Sequence, residues 1–159
     1  MIDEGKQILY LLPEIALTTQ LIERLQVYFG DYLSVYHSKY SMNERVEVWN
    51  NVLENKPKAQ IILGARSSIF LPFTDLGLII VDEEHDHGYL EKKHPKIHSR
   101  DMAILKAAMY GVPVVLGSAT PSLQSLWNVK KREWTLLTML NRFSGNFPKI
   151  QFASLKTNK

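Results

Sequence analysis

Leu78-Ile79-Ile80-Val81-Asp82-Glu83-Glu84-His85 decides the fold. Four consecutive apolar residues, mostly β-branched, run straight into three carboxylates and a histidine. An unbroken apolar run of this length suits a strand buried on both faces, as in parallel sheets covered by helices. Acids at the carboxyl end of such a strand stand at the sheet edge where α/β folds bind ligands. In nucleotide-hydrolysing domains the first acid holds Mg²⁺ and the second polarises the attacking water. Asp82-Glu83-Glu84-His85 has that D-E-x-H form, the Walker B element. Apolar runs followed by acids also end many ordinary strands, so the surrounding chain decides.

On both sides of this run the chain alternates. Gln7–Leu12 reads as a strand ended by Pro13-Glu14. Thr18–Phe29 places Leu21, Ile22, Leu25 and Phe29 on one helical face, with Gly30 as a stop. Leu33–Tyr36 is a short second strand, and Ser41 with Glu44 forms a capping box ahead of a helix carrying Val46, Val48, Trp49 and Leu53. Gln60–Leu63 is a third strand, closed by Gly64. Past the acids, Asp86–Ile97 is polar and without period. Ser99–Met109 is a helix ending at Gly111, and Val114–Leu116 a fifth strand. Pro121 suits the first turn of a helix reaching about Val129. Trp134–Leu140 is apolar enough for a last strand. Such alternation means an α/β domain with a parallel sheet.

The carboxyl edge of that sheet is expected to present five loops. They are Pro13–Thr18, His37-Ser38, Gly64–Ser68, Asp82–His85 and Gly117–Pro121. Small residues, hydroxyls and Arg66 at loop-to-helix junctions suit phosphate oxygens. Ordinary capping explains Thr18 and Ser67 better. Arg66 calls for a carboxylate or a phosphate.

Composition narrows the class. The 159 residues, 45% hydrophobic and 22% charged, suffice for one globular domain with a substantial core. No cysteine is present, which excludes a disulfide scaffold or a Cys-based zinc site within these residues. No apolar run approaches membrane-spanning length, and Met1–Lys6 lacks a signal-peptide layout. A cytoplasmic protein without membrane contact is the expectation. Net charge +3 and a pI near 9.0 lean toward a polyanionic partner.

LLPEIALTTQ, YHS, GARSSIFLPF, LGLIIVDEEHD and LGSATPSL occur in an order and spacing that resembles the primosomal replication-restart helicases, superfamily 2 DNA helicases of the PriA type. The resemblance runs from about Gln7 to the neighbourhood of Leu155. It implies a RecA-like, P-loop NTPase-type sheet flanked by helices and incomplete at its N-terminus. Residues 1–145 would form part of the first lobe, and 146–159, with Pro148-Lys149-Ile150, the start of a linker to a second lobe.

By the same resemblance Asp82 holds Mg²⁺, Glu83 activates water against the γ-phosphate of ATP, and His85 couples to Ser118, Ala119 and Thr120. The Pro13–Gln20 loop, with Glu14 and Thr18, tracks single-stranded DNA, as do Gly64, Arg66 and Ser67. Arg66 would be the phosphate contact. Tyr89 and Arg100 fall in the DNA-linked segment after the acids, where Ile97 replaces a usual aromatic. Lys92, Lys93 and Lys96 fit a solvated loop or DNA contact equally. Implied partners are single-stranded and branched DNA, other primosome proteins and single-strand-binding proteins.

A G-x-x-x-x-G-K-[ST] phosphate loop is absent, Gly5-Lys6-Gln7 failing the pattern. The resemblance puts that loop before Met1, and the arginine finger and a zinc-binding Cys-rich module after Lys159. The chain alone is therefore expected not to hydrolyse ATP. Other readings are a superfamily 2 translocase of branch-migration or restriction type, a non-catalytic nucleic-acid-binding module, and a metal hydrolase or zinc site built from His85, His87, His94 and His98 with Asp82.

Overall fold

β1 (Gln7–Leu11), β2 (Leu33–Tyr36), β3 (Ile61–Gly64), β4 (Leu76–Val81) and β5 (Val114–Leu116) form one sheet in the order β2-β3-β1-β4-β5. Every neighbouring pair is parallel. These coordinates are a computed structural model that describes residues 2–131 and 133–141. The helices are α1 (Thr19–Phe29), α2 (Met42–Leu53), α3 (Ser99–Tyr110) and α4 (Leu123–Lys130). None is long and apolar enough to cross a membrane. The expected parallel α/β sheet flanked by helices is present.

Side chains alternate across the sheet and build two cores. On one face Leu9, Leu11, Ile62, Ile79 and Val81 meet Val52 of α2 and Ala103 and Ala107 of α3. On the other, Leu33, Val35, Ile61 and Leu63 meet Leu21, Ile22, Leu25 and Phe29, the predicted face of α1. The helix ends follow their local chemistry. Thr18 accepts from the Leu21 amide, and Ser41 and Glu44 make the reciprocal capping box. Gly30 and Gly111 end α1 and α3 at positive φ. α2 turns differently from its composition: Asn51 and Val52 are buried, while Val46, Trp49 and Leu53 stay largely exposed.

The chain falls into two compact units, Met1–Leu123, which carries the sheet, and Gln124–Lys159. In the second unit Trp134–Leu140 is not the expected strand. It has no regular structure, with Leu137, Met139 and Leu140 exposed. An apolar run becomes a strand only against a hydrogen-bonding neighbour, and among the described residues this one has no ladder. The expected linker at 146–159, with Pro148-Lys149-Ile150, lies outside the described residues.

Candidate functional site

Tyr36, Gly64, Leu11, Val81 and Leu116 are register partners, one from each strand, so five loops leave the sheet from a single row. Parallel pairing makes this a carboxyl edge throughout, the ligand-binding side of open α/β sheets.

Asp82 is the first residue past β4 and is half-buried. Its Oδ2 accepts from the Tyr10 hydroxyl at 3.0 Å and its Oδ1 from the Glu83 amide at 2.9 Å. Gly117 lies alongside, where an added Cβ would come within 3.2 Å of Asp82 Oδ1. Both donors are neutral, and the two oxygens keep spare lone pairs for a hard cation that retains most of its waters. The Asp82 carboxylate oxygens, with water filling the other positions, fit Mg²⁺. Among the described residues no group of three or more acids and histidines converges, so His85, His87, His94 and His98 do not assemble with Asp82 into a metal cluster.

Glu83 has φ +48°, a left-handed backbone uncommon for a side chain with a long stem. The tight turn it makes lets the Glu84 amide donate to Gly117 O at 2.9 Å, tying the β4 loop to the β5 loop. The two loops meet again at His85 Nδ1 and Ser118 Oγ, 2.7 Å apart. Ser118 Oγ also accepts from the Thr120 amide at 3.0 Å. His85 Nδ1 also lies 3.6 Å from Glu83 Oε2, so the imidazole stands between the acidic turn and the Ser118 hydroxyl, the direction of its bond to Ser118 set by the ring tautomer. Ala119 and Thr120 are exposed. The structure thus brings Asp82, Glu83, His85 and Ser118 to one place.

Two residues escaped the sequence. Tyr10 sits on β1, where an alternating pattern says only that it shares a face with Ile8. Glu84 occupies the unconstrained position of D-E-x-H, yet its side chain is 1% exposed and takes Arg100 and Ser122. No local signal marks either pairing.

The loops read as a DNA track divide. Glu14, Thr18 and Gln20 are exposed. Arg66 is partly exposed, donates from Nη1 to Leu90 O at 3.1 Å, and lies between Glu14 and Glu91 at 3.6 and 3.5 Å. Ser67 makes no capping bond, since Ala65 is the residue before the short 3₁₀ turn Arg66–Phe70. Pro13 and Gly64 are buried, and Gly64 is there because a Cβ would strike the Ser68 side chain and Tyr36 O.

Tyr89 and Arg100 correct the expectation of exposed DNA contacts. Tyr89 is wholly buried beneath the edge, its hydroxyl donating to Leu11 O and Asp82 O, so it offers no ring for a base to stack on. Arg100 is buried and its guanidinium is held by Glu84 and Asp101. Lys92, Lys93 and Lys96 are exposed. A hollow of about 730 Å³ between Val27–Tyr32 and Lys56–Lys58 lies at the opposite, amino-terminal edge, away from the acids.

The Replication restart protein PriA of Bacillus subtilis (strain 168) is 36% identical over 154 residues, a match covering 96% of this chain and 19% of that protein. The protein of the same name from Chlamydia trachomatis serovar D is 41% identical over 145 residues, covering 91% of this chain and 19% of that one. That of Rickettsia typhi is 37% identical over 157 residues, with 98% and 24% covered. The chain therefore spans only 19–24% of these relatives. Among solved structures, the C-terminal part of the Fun30 ATPase domain matches with a TM-score of 0.50 at 11% identity, over 87% of this chain and 42% of that one. At that identity the likeness shows the fold alone, a RecA-like one. The DEAD/DEAH box helicase model matches residues 1–129. That span carries both halves of the edge, from the Asp82 turn through the Ser118 loop, and the chain belongs to the DEAD/DEAH box helicase family.

Proposed function

We propose that this chain is part of the first nucleotide-hydrolysing lobe of an ATP-dependent DNA helicase that remodels branched DNA for replication restart. Family membership and the names of the similar proteins support the class. The observation that carries the mechanism is the 2.7 Å contact between His85 and Ser118, which joins the acidic turn to the loop after β5.

Mg²⁺ held through Asp82 would supply positive charge against the phosphate oxygens of bound ATP. Glu83, raised to the rim by its left-handed turn, takes a proton from the attacking water on its carboxylate. His85 and Ser118 pass the displacement of that turn to Ala119 and Thr120. Glu14, Thr18, Gln20, Ser67 and Arg66 face a single strand of DNA, Arg66 contacting phosphate. The phosphate-cradling loop and the arginine finger come from elsewhere in the protein, as does any zinc. The 159 residues alone bind nucleic acid at most and do not turn over ATP. Primosome and single-strand-binding proteins are the partners, and the cytoplasm, where a bacterial chromosome lies, is the compartment.

Glu83→Gln in the full-length protein tests this. DNA-dependent ATP hydrolysis should fall at least 100-fold while single-stranded DNA affinity stays within about threefold. Retained turnover would remove Glu83 from its role.

A further inference from the structure

We infer that Glu84 is a positioning residue whose buried carboxylate clamps three segments of the catalytic edge together; the inference rests on the ATPase reading above. Asp82 and Glu83 face the rim, whereas the Glu84 side chain is only 1% exposed and cannot meet nucleotide or its water. Its Oε1 accepts from the Ser122 amide at 2.6 Å. Its Oε2 accepts from Arg100 Nη1 at 3.0 Å and from Ser122 Oγ at 3.1 Å. Arg100 Nη1 also donates to Ser122 Oγ at 3.2 Å, closing a triangle. Arg100 Nε and Nη2 are taken by Asp101 Oδ1 at 2.9 and 2.8 Å.

The placement gives the triangle its purpose. Glu84 and Arg100 stand at the two ends of the 86–98 loop, so their pair closes it at the base. Higher up, the loop is held by the Leu90–His98 bridge and by the Glu91 amide on Ile97 O at 2.8 Å. Ser122 belongs to a third segment, the loop that follows β5 and carries Ser118. A displacement of the 86–98 loop therefore reaches the Ser118–Ser122 loop through Glu84, without passing through solvent.

The contrast with His85 follows from burial. His85–Ser118 is a single hydrogen bond between part-buried groups and exchanges readily with water. Glu84–Arg100 is charge-assisted and buried, and Ser122 joins it from a part-buried position. Removing the Glu84 charge leaves the buried Arg100 with Asp101, half exposed, as its other carboxylate partner, which makes the Glu84–Arg100 tie the rigid one.

The test is a comparison in the full-length protein of DNA-stimulated with basal ATP hydrolysis. Glu84→Gln keeps the shape and an acceptor for the Ser122 amide but loses the charge. It should lower the stimulation ratio at least tenfold with the KM for ATP within twofold. Ser122→Ala should lower the ratio two- to threefold. Should Glu84→Gln fold poorly, Glu84→Gln with Arg100→Met removes both charges, and it should recover cooperative unfolding without recovering the ratio. A wild-type ratio in either folded variant overturns the inference. So does a loss of basal and stimulated rates in common proportion to unfolded protein. A wild-type protein with no DNA-stimulated hydrolysis would instead overturn the reading on which the inference rests.

Discussion

The Tyr10 hydroxyl reaches from β1 to Asp82 at the end of β4 and donates to Oδ2 at 3.0 Å. Burial first, then the neighbouring Asp82 charge and the hydrogen bond itself, push the Tyr10 phenol well above its ordinary range. It therefore stays a donor at any working pH, and it fixes one oxygen of the acid read as the cation holder. Tyr10→Phe should cost about 1 kcal/mol of stability, the modest value of one hydrogen bond whose acceptor water can still reach. Urea unfolding of the chain measures that loss. In the full-length protein the same variant should raise the Mg²⁺ concentration needed for half-maximal ATP hydrolysis.

Gly64 permits a close approach that no other residue allows. An added Cβ would collide with the Ser68 side chain and come to 3.0 Å from Tyr36 O, both fixed by the sheet and the following turn. Gly64→Ala should destabilise the chain by about 1–3 kcal/mol, the ordinary cost of overpacking. Denaturant midpoints at an unchanged slope would show it. A neutral outcome would mean the Arg66–Phe70 turn shifts freely.

Arg66 is held by the acids Glu14 and Glu91 while remaining partly exposed. A DNA phosphate would have to take their place. Arg66→Ala should weaken single-stranded DNA binding at low salt and reduce the slope of log affinity against log salt by about 0.7. Glu91→Gln should move affinity the other way. Nucleotide affinity should not respond to either. Fluorescence anisotropy with a labelled oligonucleotide at several salt concentrations reads the DNA affinities and the slope, and a fluorescent ATP analogue reads the nucleotide affinity.

Lys106 donates from Nζ to Ile69 O and Leu71 O at 2.8 and 2.9 Å, under the turn that carries Arg66. Burial lowers its ammonium from 10.5 to about 8. The folded state thus releases the proton before the unfolded chain does. The burial cost is fully present below pH 8 and is relieved as pH rises from about 8 to 10.5, because only the unfolded chain stays protonated there. Wild type should gain stability relative to Lys106→Met between pH 7.5 and pH 10. Thermal unfolding of both at matched pH isolates the difference. At pH 7.5 the variant should itself be about 1 kcal/mol less stable, because Ile69 O loses the Lys106 donor while Leu71 O keeps only the Phe73 amide.

Local chemistry was enough for much of this protein. Apolar β-branched runs and the stops after them place all five strands within two residues of where they lie. Ser41 with Glu44, Thr18, Gly30 and Gly111 set helix ends through bonds spanning a few positions. Because every strand is parallel, strand ends read from sequence already name the edge and the Asp82 turn upon it. Burial and distant partners were beyond such reading. Tyr89 and Arg100 are residue types that serve equally on a surface or inside, and only the packed chain supplies Leu11 O and Asp82 O to one and Glu84 to the other. Trp134–Leu140 has a strand's composition and, among the described residues, no strand that hydrogen-bonds to it. Glu84 meets Ser122 across 38 positions, and Tyr10 meets Asp82 across 72. Sequence patterning determines which segments become strands and helices, since those forces act over a few residues. Which acid faces water and which is clamped inside was decided by the tertiary fold, since that depends on groups brought together only when the sheet closes.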